Sequence, residues 1–561
     1  MTQHKIKILP LAFFIGVLAI ANASCKKSSL QVGDPNEPTL AGNVNNETGL
    51  LAYAEGAAYT NGFINGDGWL GDSYFSLPYG YMELMADNIG ADASNNQITT
   101  VGYPTYYITD DGVTHTNGSP SISIIRAYNV LGGSGNNPVF FQWQNMYALN
   151  AACNQVLAVA PTIKFSGDAA TRLNTIKAWC YWWKGYAYSQ IGSIYISGLV
   201  QDDPLNATNN HYLSNDSILA RSAYYLNLAS STLSGITNTG DYNTVLSQII
   251  PKACQTDHGG VPTPTQWIHN INTLLARNII CNKLAPYVNG NPNATISKSS
   301  TTAMTTADWN QVLTLATNGI QQGDVVFSAH STSTNTIFSA NAGTAAAMTT
   351  GNNISSTFKI SVRYIQCFKP NDKRFTTDFN TASTYNNPFY GTPYDITDSL
   401  TQSNTGVYVI GSKQIGQYEA YIAGSFEENQ LMLAEANVRL GNIDKGLSYV
   451  DNVRTYQGAQ VAAVSGTGLT LAQAMQEVTN ESRVSLVFRG LSFYNSRRWG
   501  WIYDISNGGG QYGQQLYNAD KTWFKNVTVD YNFMDYWDIP ADETQLNAPG
   551  AGSAPILNPN Y

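Results

Sequence analysis

Cys25 is the residue best placed for covalent chemistry. His4, Lys5 and Lys7 give the chain a basic start, Ile8 to Ala21 is almost purely apolar, and the small residues Ala21, Ala23 and Ser24 lead into Cys25. Basic start, apolar stretch and small residues in that order predict a signal peptide over residues 1–24. The stretch is shorter than the roughly 20 residues a spanning helix needs, and Pro10 fits a helix interior poorly. Ile20-Ala21-Asn22-Ala23-Ser24-Cys25 resembles a lipobox, in which small residues enter a peptidase site and the cysteine thiol carries diacylglycerol. At roughly 0.8 kcal/mol per buried methylene one acyl chain holds only marginally, so the expected anchor carries two or three.

Other constellations fail on spacing. The six histidines (His4, His115, His211, His258, His269, His330) are dispersed, and neither HExxH nor GxSxG occurs. Asp110-Asp111-Gly112 hints at a calcium loop without the rest of its ligands. Gly66-Asp67-Gly68-Trp69-Leu70-Gly71 spells GxGxxG, but no strand precedes it and no βαβ unit surrounds it, so a dinucleotide site is rejected. Glu427 and Glu428 are a carboxylate pair of the kind glycosidases use, yet they sit on a patterned helix, where capping or a solvated face is expected. No catalytic residue, metal ligand or cofactor site is therefore assigned. With Cys25 lipidated, Cys153, Cys180, Cys254, Cys281 and Cys367 remain, an odd and scattered set. They allow two disulfides but imply no compact framework, and are read as small buried hydrophobes.

Composition narrows the class. The 561 residues are 43% hydrophobic, ample for a large core, and only 12% charged, against roughly 25% in an average domain. Tyr (35), Trp (11) and Gly (48) are abundant, a mix that suits an extracellular surface better than a cytosolic enzyme. The net charge is −9, more negative once Lys5 and Lys7 leave with the leader, and no basic run exceeds Lys26-Lys27. Nucleic acid is not an expected partner.

The elements that must position any site are mostly helical. Residues 25–45 are polar with two prolines and read as a tether. The body, 46–561, is expected as one unit with helices near 46–62, 138–160, 168–192, 215–235, 264–287, 307–322, 424–440, 442–457 and 470–488. Phe426, Leu431, Ala434 and Val438 share a face, Gly441 ends that helix, Asn442 is placed to cap the next, and Ile443, Leu447, Val450 and Val453 continue the period. Two helices on one tight turn make a hairpin like a tetratricopeptide unit; a weaker one starts at Trp309 with Val312, Leu315, Ala316 and Ile320. The segments 65–137, 236–262, 323–424 and 505–561 show no clear period. Such long loops are usually functional or disordered, and their aromatic content argues against disorder. The expected fold class is mostly α: helical hairpins forming a scaffold with an irregular long-loop lobe, loops about 65–137 and 323–424.

The run Phe426-Glu427-Glu428-Asn429-Gln430-Leu431-Met432-Leu433-Ala434-Glu435-Ala436, with Arg439-Leu440-Gly441-Asn442 and Val450-Asp451-Asn452-Val453-Arg454, resembles the SusD/RagB family. The next helix, Glu481 to Trp499, is similar to that family's signature at Glu481, Leu486, Phe488, Gly490, Arg498 and Trp499, and departs from it at Ser482, Ser485, Arg489, Ser492 and Asn495. Ile539-Pro540-Ala541-Asp542-Glu543 and Asn558-Pro559-Asn560-Tyr561 resemble its C-terminal ending. Looser matches are Glu83 to Asn88, the helix with Trp143, Tyr147, Asn150 and Asn154, and Asp372-Lys373-Arg374-Phe375. Read as residues, this signature is scaffold: Arg454, Arg483 and Arg498 are expected to pair with Glu435, Glu481 or helix-end carbonyls. The resemblance implies a SusD-like fold and a lipoprotein of the outer membrane, facing the cell surface, without enzymatic activity. It implies capture of an oligosaccharide, or a peptide in the RagB manner, and delivery to a SusC-like TonB-dependent transporter. A glycan-hydrolysing lipoprotein is the third reading.

Sugar rings pack C–H faces on flat aromatics while their hydroxyls need amide and carboxylate partners. The first candidates are therefore Tyr103, Tyr106, Tyr107 and Asp110, then Trp69 and Tyr74, with Tyr385, Phe389, Tyr390 and Tyr394 as an opposing wall.

Overall fold

The computed structural model describes residues 44–59, 80–91, 102–116, 125–133, 139–203, 209–251, 254–255, 260–329, 358–381, 394–396, 420–518 and 522–561. Cys25, Trp69, Tyr74, Tyr385, Phe389 and Tyr390 lie outside them, as do the leader and most of the tether. The principal helices are α1 (Glu47–Tyr59), α2 (Gly80–Met85), α3 (Phe140–Val159), α4 (Ala169–Ile194), α5 (Asn215–Ser234), α6 (Thr239–Ile249), α7 (Pro264–Ile280), α8 (Thr306–Thr317), α9 (Phe426–Arg439), α10 (Ile443–Tyr456), α11 (Leu471–Ser485) and α12 (Ser492–Arg498). The longer strands are β1 (Ile89–Ala91), β2 (Tyr106–Ile108), β3 (Thr114–Thr116), β4 (Phe358–Ile360), β5 (Gln511–Tyr517) and β6 (Trp523–Asp530). The chain is mostly α, as its periodicity predicts. Among the described residues no helix is long and apolar enough to cross a membrane.

Helix starts follow their caps. Thr263 with Gln266, Thr305 with Asp308 and Thr470 with Gln473 form capping boxes at α7, α8 and α11. The predicted hairpin of α9 and α10 is present, with Gly441 left-handed at φ 86° between them. Asn442 holds the N-cap position of α10 but its side chain makes no cap bond. Helix α7 stops at Ile280, short of the expected 287, an end that Pro286, which cannot sit in a helix interior, rules out.

Three differences matter for the site. Helix α6 lies in a stretch expected to be irregular; Asn238 caps it and Tyr242, Val245, Leu246 and Ile249 bury one face. The expected helix from Glu481 to Trp499 is two, α11 and α12. It breaks where Phe488 and Gly490 turn left-handed, at φ 55° and φ 70°, a region that side chains other than glycine seldom enter. The segments 65–137 and 505–561 hold β structure: an antiparallel sheet of order β5-β6-β2-β3, with Thr528 opposite Ile108, Asp530 opposite Tyr106 and Tyr107 opposite His115. A second antiparallel pair joins β1 to β4, Ile89 facing Ile360.

The core is aromatic. Trp179, Trp182 and Trp183 of α4 are buried against Trp267 of α7 and against Phe327, whose ring stacks on Trp182 with centroids 4.1 Å apart. The Trp182 indole donates to Asn270 Oδ1 at 3.1 Å, so this polar handle is satisfied in the core. Gly185 lets α5 approach α4: a Cβ there would stand 2.7 Å from the Leu226 side chain. One step earlier Lys184, fully buried, donates to Asn150 Oδ1 at 2.8 Å and to Asn154, and pairs with Asp202 at 2.9 Å. The Asn150–Asn154 motif of α3 is thus a seat for a buried ammonium. Cys153, Cys180, Cys254, Cys281 and Cys367 are buried and form no disulfide, as expected of small hydrophobes.

Candidate functional site

A cleft of about 600 Å³ opens between α11 and the edge strand β5. Helix α11 contributes Gln476, Asn480 and Arg483, spaced four and three residues apart and therefore on one face. Its apolar face, with Ala474, Met475 and Val478, is buried in the body. The loop after α7 brings Tyr287 and Asn289, the turn after α12 brings Trp501, and the turn that follows β4 brings Gln366 and Cys367. The opposite wall is Gly510 to Gln514, with Asn526 and Thr528 from β6.

These side chains hold one another. Trp501 Nε1 donates to the Tyr287 carbonyl at 2.7 Å. The Tyr287 hydroxyl donates to Ala472 O at 2.9 Å and meets Gln476 Oε1 at 3.1 Å; burial pushes that phenol up to about 12. Gln366 Nε2 donates to Gln514 Oε1 at 3.0 Å, and Gln366 Oε1 accepts from the Gln515 amide at 2.7 Å. The side chain of Gln366 thus occupies a donor that edge strand β5 would offer a passing chain. The ladder is broken there too. The register of β5 on β6 slips between Gln511 and Gln514, the mark of a bulge. Gly513 sits inside that slip at φ 67°, a conformation glycine adopts without steric cost. A Cβ at Gly513 would meet only Asn526 Oδ1, at 3.9 Å. Gln511 is buried and its Oε1 has no hydrogen-bond partner.

The floor of the cleft joins motifs that lie hundreds of residues apart. Arg483 Nε and Nη2 donate to Asn88 Oδ1 at 3.0 and 2.9 Å, and Nη2 to the Asp87 carbonyl at 3.0 Å. Asp87 pairs with Arg363 at 2.6 Å. Glu83 accepts from Asn88 Nδ2, from the Phe488 amide and from Ser492 Oγ at 2.7, 2.8 and 2.8 Å. Burial outweighs these donors and pushes the Glu83 carboxyl up to about 7. Beside this lies Glu481, bridged by Arg374 and Arg454. Burial works to raise its pKa, and the two guanidiniums override it to about 2. Arg498 pairs with Glu435 at 2.6 Å. The arginine pairings expected of a scaffold are present. Glu427 and Glu428, expected at a cap or a solvated face, are instead buried: Glu428 forks onto Arg277, and Glu427 accepts from Gln457. Ser425 supplies the cap.

Of the sequence-derived candidates, the described ones, Tyr103, Tyr106, Tyr107, Asp110 and Tyr394, are not among the residues lining the cleft. Tyr106 stands opposite Asp530 and so shares a sheet face with Asp530 and with Thr528, which borders the cleft. Burial and the carboxylates of Asp530 and Asp504 push its phenol up to about 12. Tyr107, on the other face, is buried and stacked on His115 with centroids 4.6 Å apart. Tyr103 is half-buried before β2. Asp110 lies in the β2–β3 turn and accepts from the Lys525 and Asn526 amides at 3.0 and 2.9 Å, which fixes the turn to β6. Tyr394 lies in a strand paired to 379–381. Among the described residues no group of three His, Cys, Asp or Glu is disposed to hold a metal ion. Trp501, Tyr287 and Gln511 were not singled out by sequence, nor were Gln476 and Asn480, although their spacing with Arg483 on the expected 470–488 helix is a signal that could have found them.

Residues 428–555 match the model of the SusD family. Over that C-terminal stretch the chain is similar to the SusD family. Its fold agrees: a Bacteroides vulgatus protein described as sugar-binding superposes with a TM-score of 0.54 at 15% identity, over 91% of this chain and 100% of the other. A SusD-like protein of Bacteroides fragilis gives 0.52 at 11% identity, over 92% and 97%. A structure solved with xylogluco-oligosaccharide gives 0.50 at 12% identity, over 91% and 99%. No curated protein sequence matches the chain. The SusD-family match begins inside α9 and runs through α10, α11, α12 and the sheet strands β5 and β6, so it contains Arg483, Trp501 and the whole β5 wall of the cleft.

Proposed function

We propose that this chain is a SusD-family surface lipoprotein that captures an oligosaccharide and passes it to a TonB-dependent outer-membrane transporter. In this reading residues 1–24 are the leader, Cys25 carries the lipid, 25–45 are the tether and 46–561 are the binding body. The observation that carries it is the cleft at α11 and β5, which sets Trp501 and Tyr287 among the amides of Gln366, Gln476, Asn480, Gln511, Gln514 and Asn526. Flat rings with surrounding amides suit the C–H faces and hydroxyls of a sugar. The broken, Gln366-covered edge of β5 is a poor template for adding a peptide strand, which favours glycan over the RagB-type peptide reading. The described lining offers amides, rings and the Arg483 guanidinium, groups that bind a sugar's hydroxyls and faces. The sugar-binding description of one structural neighbour and the oligosaccharide in another add support.

Calorimetry of the protein against a panel of oligosaccharides and peptides tests this. Saturable glycan binding without product release is expected. Binding confined to peptides, or hydrolysis of a reporter glycoside, overturns it.

A further inference from the structure

Arg483 is the one charged side chain lining the cleft among the described residues. It is buried, and it forms no ion pair with any described carboxylate: its partners are the Asn88 amide oxygen and the Ala86 and Asp87 carbonyls. The Cys367 thiol lies beside it as well. By contrast Arg277, Arg363, Arg374, Arg454 and Arg498 each meet a buried carboxylate. Arg497 lacks one too, but it is enclosed by the Phe493, Tyr494 and Tyr536 rings and does not line the cleft. Glu83 feels the Arg483 charge but accepts its hydrogen bonds from Asn88, Phe488 and Ser492. Arg483 Nη1 has no oxygen partner among the described residues, and the guanidinium lies 5.7 Å from the centre of the Trp501 ring. Gln511 Oε1, buried in the same wall, also waits for a donor.

A buried guanidinium with no carboxylate hydrogen-bonded to it is costly, and a ligand carboxylate on its open edge relieves that cost with a charge-assisted hydrogen bond. We propose that the cleft selects an acidic oligosaccharide, whose uronate carboxylate binds Arg483 Nη1 while a sugar ring covers Trp501 and a hydroxyl donates to Gln511 Oε1. The inference rests on the glycan-capture reading and adds the charge of the ligand. The net charge of −9 means that attraction for such an anion is local to Arg483 and not a property of the whole surface.

The test compares oligogalacturonides with their methyl esters on the unaltered full chain by calorimetry. Esterification removes the charge and keeps the ring, so an affinity drop of tenfold or more is expected, shrinking as salt is raised. Arg483→Gln should abolish the difference between acid and ester. Because Arg483 also holds the 86–88 turn, Gln511→Leu serves as a second variant: it should weaken both ligands and leave their ratio unchanged. Equal affinity for acid and ester, or binding of neutral oligosaccharides alone, overturns the inference and leaves glycan capture standing. Binding of acidic peptides with no glycan bound overturns both.

Discussion

Arg374 Nη1 donates to Glu481 Oε1 across 2.6 Å, with both side chains almost wholly shielded from solvent. Arg374 follows β4 and Glu481 belongs to α11, so this bond ties the middle of the chain to the helix that walls the cleft. Removing one partner of such a pair leaves a buried charge, at a cost of about 3–5 kcal/mol. Arg374→Leu is expected to lose that much in urea unfolding at pH 7, with Asp372 and Glu481 both left short of a cation.

The same carboxylate sets acid stability. Glu481 is held at about 2 against an ordinary 4.5. A depressed carboxyl contributes stability that is present above its unfolded value and is lost as pH falls from about 4.5 towards 2. Glu481→Gln should be less stable at pH 7 and show a flatter loss of stability across that window, read from unfolding midpoints.

Glu83 works in the opposite sense. Its folded value of about 7 lies above the ordinary 4.5, so the folded state holds its proton longer. That contribution is complete below pH 4.5, declines as pH rises to about 7 and is gone above it. Asp530, pushed up to about 7 by burial and by Asp504, adds a decline of the same sign. Calorimetric unfolding should show a midpoint that falls between mildly acidic and mildly basic pH, with a shallower slope in Glu83→Gln. An unchanged slope in that variant would refute the assignment.

Trp501→Ala removes the ring over which a ligand is placed and the indole N–H that fixes the Tyr287 carbonyl. Ligand affinity should weaken at least about fivefold, a loss of about 1 kcal/mol, with the far-ultraviolet spectrum kept. Tyr106→Phe, outside the cleft, should leave affinity unaltered. The reverse pattern would move the site to the β2 aromatics.

Gly513 is left-handed. Gly513→Ala places a Cβ on that backbone, costing roughly 1–2 kcal/mol. The strain is relieved if the bulge straightens, which re-aims Tyr512 and Gln514. Weaker ligand binding is therefore expected together with a lower unfolding midpoint.

Helices were legible where an apolar period and a cap coincide, as at Thr305 to Ala316 and at Phe426 to Val453. Helix α6 was missed although Tyr242, Val245, Leu246 and Ile249 follow the helical period behind Asn238, because the surrounding Gly, Asn and Thr content masked it. The break between α11 and α12 was not, because Phe488 has no residue-type reason to turn left-handed; its amide is held by Glu83, from the far end of the chain. The cleft was hidden for a similar reason. Trp501, Tyr287 and Gln511 come from three separate segments, and no local spacing relates them. The tyrosines of β2 stood out only because they are crowded in sequence, and pairing with β6 and β3 then buries Tyr107.

Several hydrogen bonds join the two ends of the chain: Ser492 to Glu83, Thr105 to the Tyr531 carbonyl, Arg126 to the Asn558 carbonyl. Closing loops of such length is slow, and structure dominated by distant pairings forms late. A growing chain would emerge with α4 already complete and its three tryptophans still lacking Trp267 and Phe327. Until Trp267 and Phe327 emerge, that apolar surface lacks the rings that cover it in the folded chain and is exposed to aggregation.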